Sequence, residues 1–184
     1  LQNLLTRDPQ FGWFDPVSTI TFGNSILLRK PLTAIAKNGL KGARAMDNLE
    51  FEIDLPMEEA HALPNLTDLA ISHMMAFPDH GKGSKYVDSI FVDALPKKDR
   101  RRFYHLYNYM LKKVTYMKNG KQLLLKSPDN TARIAFLKRA YPHAKFINIY
   151  RNPYTVIRSA LNMFRIEMDK YALSESVSDQ YLLD

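Results

Sequence analysis

The sequence predicts an α/β domain built on a parallel sheet, and three observations carry that expectation. Between Gly120 and Phe164, apolar runs and amphipathic stretches alternate in the order strand, helix, strand, helix. Such a βαβα unit requires parallel strands joined by right-handed crossovers. The 184 residues are 46% hydrophobic and 11% aromatic, with no sign of a second core, and a chain of that length buries about 70% of its unfolded surface as one domain. No internal repeat or low-complexity tract is present, which excludes solenoids and linkers.

Taken in order, Leu1 to Leu5 reads as the end of a helix that stops at Asp8-Pro9, since the residue before proline avoids the helical region. Phe11-Gly12-Trp13-Phe14-Asp15-Pro16 reads as an aromatic-rich turn. Ile26 to Leu40, interrupted by Pro31, is one kinked helix or two short ones. Pro56 opens a helical turn over Met57 to Leu63, with Glu58 and Glu59 complementing its N-terminus. His80-Gly81-Lys82-Gly83-Ser84 has the composition of a flexible loop. Phe103, Leu106, Met110, Val114 and Met117 then step by three or four, one face of a helix ending near Asn119-Gly120.

The predicted core of the fold follows. Gln122 to Leu125 is a short apolar run between Gly120 and Ser127-Pro128, as a buried strand would be. Asn130 can cap a helix carrying Ile134, Leu137 and Tyr141 that stops before Pro142. Lys145 to Tyr150 is rich in β-formers, and Asn152-Pro153 opens a second helix with Val156, Ile157, Ala160 and Phe164 on one side.

Lys and Arg number 26 against 19 Asp and Glu, for a net charge of +7. The charge is unevenly placed: Ala45 to Gly81 carries eight acidic residues, among them Asp47, Glu50 and Asp79, and no Lys or Arg, whereas Lys97 to Lys126 holds ten basic residues against Asp99 alone. Such asymmetry either steers an anionic ligand or is a solvated face. It does not by itself indicate nucleic acid.

With no cysteine, disulfides, thiol nucleophiles and Cys-based metal sites drop out. His61, His73 and His80 lack metal-ligand spacing. No stretch approaches the roughly 20 apolar residues of a membrane span, and no targeting segment is recognisable. The chain reads as soluble and cytoplasmic, and as starting within a longer protein.

In an open parallel sheet, ligands sit beyond the carboxyl ends of the strands, where helix N-termini also point. Lys126-Ser127-Pro128 follows the first predicted strand and Arg151-Asn152-Pro153 the second. A cation at each of two neighbouring strand ends suits phosphate or sulfate. Ser159, two turns into the second helix, either shares that anion with Arg151 or merely packs.

Leu123-Leu124-Leu125-Lys126-Ser127-Pro128, followed by Tyr141-Pro142-His143-Ala144-Lys145-Phe146-Ile147-Asn148-Ile149-Tyr150-Arg151-Asn152-Pro153-Tyr154-Thr155-Val156-Ile157-Arg158-Ser159, resembles the core of the sulfotransferases that use 3'-phosphoadenosine-5'-phosphosulfate (PAPS), in particular the bacterial and membrane-type members. The resemblance is close over about forty residues. It implies a P-loop-NTPase-like parallel sheet flanked by helices, incomplete at both ends in this chain. It also implies one domain over 1–184, with a helix-rich acceptor-side insertion at about 12–118 and a nucleotide-binding core at about 119–170.

By the same resemblance, Arg151 and Ser159 bind the 3'-phosphate of the nucleotide, and Lys126, with Ser127 beside it, faces the transferring sulfuryl group. The family's Pro-Arg/Lys-Ser-Gly-Thr-Thr loop for the 5'-phosphosulfate is absent from this sequence, and Thr155 stands where an acidic residue is common. Cytosolic relatives place a histidine two residues after the lysine, where this chain has Pro128, so the base that deprotonates the acceptor lies elsewhere. The candidates are Glu58 and Glu59, in a Pro-Met-Glu-Glu segment similar to one in bacterial and membrane-type members, then Asp15 and His61.

The implied activity is sulfuryl transfer from PAPS to a hydroxyl or amine of a carbohydrate, lipid or small metabolite, with no metal. Phe11, Trp13, Phe14 and Phe22 form an acceptor pocket or simply core. The alternatives are a noncatalytic nucleotide- or polyanion-binding module and a P-loop phosphotransferase, the latter disfavoured because no G-x-x-x-x-G-K-[ST] occurs. Nucleic-acid binding through Arg100-Arg101-Arg102-Phe103-Tyr104 is disfavoured because those aromatics belong to the core face of a helix.

Overall fold

A computed structural model describes residues 1–39, 52–78, 85–175, 177, 178 and 180. The loop expected at His80 to Ser84, the end of the helix expected at Leu40, and Asp47, Glu50 and Asp79 of the acidic segment lie outside these residues.

A short helix α1 (Gln2–Leu5) leads into strand β1 (Phe11–Gly12). Of the stretch expected to be an aromatic turn, Phe11–Gly12 is instead a strand. Its partner is β2 (Gln122–Leu123), parallel, with Phe11 opposite Gln122 and Gly12 opposite Leu123. The Leu124 N–H extends the pairing to the Gly12 carbonyl at 2.8 Å. Gly12 is required by close approach: a Cβ there would lie 2.8 Å from Lys118 Cβ.

Asp15 closes a capping box with Ser18 at the start of α2 (Pro16–Ile20), accepting from the Ser18 N–H at 2.8 Å. Of the two readings of Ile26 to Leu40, a single helix forms, α3 (Arg29–Gly39). Pro31 sits in its first turn, where a missing N–H removes no intrahelical bond. The turn expected from Pro56 instead begins at Glu59 as a 3₁₀ helix, Glu59–Asn65, with Glu58 at its N-cap. Met57 is drawn away because it bridges antiparallel to Phe14, its N–H donating to the Phe14 carbonyl at 2.7 Å. Two short helices follow, α4 (His73–Ala76) and α5 (Lys85–Asp88).

The long helix α6 (Lys97–Met117) organises the core. Phe103, Tyr107, Met110 and Val114 are essentially inaccessible and pack with Phe14, Phe22, Leu63, Leu69, Val92 and Phe136. The buried stripe takes in Tyr107 where the periodicity pointed to Leu106, because the Tyr107 hydroxyl finds a buried partner in Glu59. The helix stops where Asn119 and Gly120 turn to φ values of 56° and 77°, and the Gly120 N–H returns to the Thr115 carbonyl at 2.9 Å.

After β2, a 3₁₀ turn (Pro128–Thr131) leads to α7 (Ile134–Ala140), and α8 (Pro153–Tyr171) packs against α4. Asn152 caps α8, its side-chain oxygen accepting from Tyr154 and Thr155 N–H. Arg133, not Asn130, occupies the N-cap position of α7. Lys145 to Tyr150, expected as the second strand, has no regular structure, and Ile147, Ile149 and Tyr150 are well exposed. Among the described residues no strand lies beside it, and β-propensity expresses fit against a neighbouring pleated surface. The described residues thus form a mixed, mostly helical structure with a two-stranded parallel sheet. Among them no helix is long and apolar enough to cross a membrane.

Candidate functional site

The chain leaves β2 towards Lys126, and the Phe14–Met57 bridge lays the segment carrying Glu58 and Glu59 alongside. These two adjacent carboxylates hold the same lysine in different ways. Glu58 pairs through its side chain with the Lys126 ammonium, and both side chains keep contact with solvent. Glu59 is buried and accepts the Lys126 backbone N–H at 3.0 Å. Its other oxygen accepts from the Tyr107 hydroxyl at 3.1 Å and from the Asn130 side-chain amide. Glu59 therefore joins α6, the strand end and the following turn at one point.

The two carboxylates have different electrostatic settings. Burial pushes the Glu59 carboxyl above its ordinary range, and the donors from Asn130, Tyr107 and Lys126 only partly offset that. The Tyr107 hydroxyl is raised well above its usual value by burial and by Glu59 next to it. His61 Nε2 stands 3.9 Å from Glu58 Oε2, one turn along the 3₁₀ helix.

Behind this group, Arg133 is buried over the Phe103 ring at 5.0 Å, donates to the Ser89 carbonyl at 3.0 Å and faces Asp129 at 3.5 Å. Burial lowers the Arg133 pKa and raises that of Asp129, although each attracts the other. The Ser127 hydroxyl is enclosed at the strand end with no hydrogen-bond partner among the described residues.

Asp15 lies in a different setting. Its carboxylate caps α2 and is gripped by Arg29 Nη2 at 2.6 Å and Lys118 Nζ at 2.8 Å. Burial alone would raise its pKa, but the Arg29 and Lys118 charges outweigh burial and hold it below the usual carboxylate range. Its acceptor sites are occupied within the fold.

Arg151 precedes α8 and Ser159 lies on it, both exposed. Among the described residues, no hydrogen bond or ion pair links either to Lys126, Glu58 or Glu59. Of the aromatic group, Phe14 and Phe22 are core, while Phe11 and Trp13 are half-buried, the Trp13 ring N–H donating to the Asp54 carbonyl at 3.0 Å. The structure thus brings together Lys126, Glu58, Glu59 and His61, and adds Asn130, expected only as a helix cap, and Tyr107, which the periodicity passes over in favour of Leu106. The signal for Tyr107 was its place four residues after Phe103 on a buried helical face.

A family model described as the sulfotransferase family matches residues 1–183. Two curated relatives, the omega-hydroxy-beta-dihydromenaquinone-9 sulfotransferases Stf3 of Mycobacterium bovis and Mycobacterium tuberculosis, are each 25% identical over 138 residues, covering 74% of this chain and 34% of theirs. The chain spans about a third of the length of these relatives. No solved structure matches.

Proposed function

From the premise that the chain belongs to the sulfotransferase family, we propose that it transfers a sulfuryl group from PAPS to an acceptor hydroxyl or amine, with Lys126 as the cation at the sulfuryl group. The observation that carries this reading is the double hold on Lys126, by Glu58 at the ammonium and Glu59 at the backbone N–H. It places a lysine and a carboxylate of opposite duty in contact at a strand end, one able to neutralise developing negative charge and the other able to accept a proton.

Glu58 acts as the base in this reading, because it keeps solvent access while Asp15 is committed to Arg29 and Lys118. The acceptor O–H bond breaks with its proton passing to Glu58. The acceptor oxygen forms the new S–O bond as the S–O bond to the donor phosphate breaks, and adenosine 3',5'-bisphosphate leaves. Protonation of Glu58 dissolves its ion pair and releases the Lys126 ammonium to the oxygens that gain charge. Glu59 positions the lysine.

Arg151 and Ser159, exposed and without side-chain hydrogen bonds among the described residues, suit the 3'-phosphate of the nucleotide, and the enclosed Ser127 hydroxyl lies next to Lys126. The reading includes a larger P-loop-like parallel sheet with β1 and β2 as part of it, a nucleotide-binding core near 119–170, and a cytoplasmic setting. The named relatives are omega-hydroxy-beta-dihydromenaquinone-9 sulfotransferases, which favours a hydroxylated lipid among the acceptor classes.

The test is transfer from radiolabelled PAPS to a panel of hydroxylated acceptors. Lys126→Ala and Glu58→Gln should each lower kcat by about 100-fold or more, the range for a positioned charge or base, and change PAPS affinity far less. Unchanged turnover in both variants would remove the pair from the mechanism.

A further inference from the structure

The outward face of α6 is a polar and aromatic stripe whose cations stand near its two ends. Lys98, Arg102, His105, Tyr109, Lys112 and Tyr116 recur every three or four residues, and all are exposed. Along a helix of 21 residues the stripe is about 30 Å long. At its N-terminal end a groove of about 600 Å³ opens between α6 and α7, lined by Arg100, Arg101, Tyr104, Phe136 and Arg139.

Some of these cations have partners. Arg102 reaches Asp68 at 3.0 Å, Arg100 donates to the Asp93 carbonyl at 3.2 Å, and Arg139 pairs with the Asp93 carboxylate. The Arg101 guanidinium has none among the described residues. Lys97, Lys98 and Lys138 add further positive charge, so the face stays basic against Asp68, Asp93 and Asp99.

We propose that this face docks on an anionic lipid bilayer, the groove taking a lipid phosphate between Arg101 and Arg139 while the α6 stripe lies along the headgroups. Charge complementarity supplies the attraction: basic side chains near an anionic leaflet are drawn to it within a Debye length. Tyr109 and Tyr116, 52% and 73% exposed on the same stripe, have the amphipathic rings that settle at a membrane–water boundary.

A nucleic-acid strand fits the groove less well. Phe103 is fully buried, and the Tyr104 ring is packed edge-on against Phe136 with centroids 6.4 Å apart, so the groove offers no free ring for bases to stack on. The docking surface does not include Lys126 or its carboxylates, so it stands or fails separately from the transfer chemistry.

The experiment is sedimentation of the purified chain with vesicles of phosphatidylcholine mixed with phosphatidylglycerol, against pure phosphatidylcholine vesicles, over a salt series. The expected result is binding to the anionic vesicles alone, weakening as salt rises. Lys98→Glu combined with Arg101→Glu should lower that binding by about tenfold or more, while Lys98→Arg with Arg101→Lys, and Lys37→Glu on α3, should leave it in place. Far-UV circular dichroism confirms that each variant is folded. Equal binding to neutral vesicles, no binding to either kind, indifference to the double charge reversal, or tighter binding to single-stranded RNA than to the anionic vesicles at equal salt would overturn the proposal.

Discussion

The backbone N–H of Lys126 donates to Glu59 Oε2 at 3.0 Å, so the lysine is anchored through its main chain by a residue that does not touch its ammonium. The ammonium belongs to Glu58. Two consecutive carboxylates thus divide the work: one fixes where the strand end lies, the other sets the state of the charge it carries.

Removing the Glu59 carboxylate leaves three donors without an acceptor: the Lys126 N–H, the Tyr107 hydroxyl and the Asn130 amide. Glu59→Ala should therefore destabilise the fold by about 3 kcal/mol, the cost of orphaned buried donors, read from urea unfolding. Glu59→Gln keeps the shape and one acceptor oxygen and should cost less. Because burial raises the Glu59 pKa above 4.5, the folded state holds that proton more tightly than the unfolded chain. Its contribution to stability is complete below pH 4.5 and is lost as the pH rises towards the folded value. Glu59→Gln should remove that decline.

Asp15 has the opposite sign. Its pKa is held below 3.8 in the fold, because Arg29 and Lys118 outweigh its burial. The stabilisation is present above pH 3.8 and disappears as the pH falls towards the folded value. Asp15→Asn should cost about 2 kcal/mol at neutral pH, as for loss of a charge-assisted contact, and should flatten the acid limb of a thermal-unfolding series. An acid limb identical in Asp15→Asn would show that other carboxylates govern it.

Much of this arrangement was not legible in the sequence, and the reasons are specific. Helices α6 and α8 were legible because their apolar spacing, the Asn119-Gly120 stop and the Asn152-Pro153 start are local signals. Lys145 to Tyr150 was misread because β-rich composition does not supply a neighbouring strand. Asn130 looked like a helix cap, yet its amide is taken by Glu59, a residue 71 positions earlier. Lys126, Glu58 and Glu59 were each recognisable as candidates, but their meeting depends on the pairing of β1 with β2 and on the Phe14–Met57 bridge. No local pattern encodes either.

Gly12 offers a test of that packing. A methyl group there meets Lys118 Cβ, at the root of the side chain, so the neighbour cannot simply rotate away. Gly12→Ala should destabilise by about 1–3 kcal/mol, as for overpacking. Lys118→Ala keeps its Cβ and should not rescue the loss, which chemical denaturation of the double variant would measure.

Arg151→Ala should weaken binding of adenosine 3',5'-bisphosphate by about 2–3 kcal/mol, the range for a charge-assisted contact, and leave 5'-AMP nearly unaffected. Isothermal calorimetry separates the two cases. An equal loss for both nucleotides would detach Arg151 from the 3'-phosphate.

The register of Phe11 with Gln122 has a consequence for how the molecule assembles. The two strands are 111 positions apart in the chain, so their pairing must close a very long loop before it gains a single ladder bond. Helix α6 can form from neighbouring residues within microseconds, whereas the strand end that presents Lys126 is held in the native state by the earliest part of the chain. Long-range pairings of this kind slow folding in general, so the site's completion depends on chain topology as well as on the contacts within it.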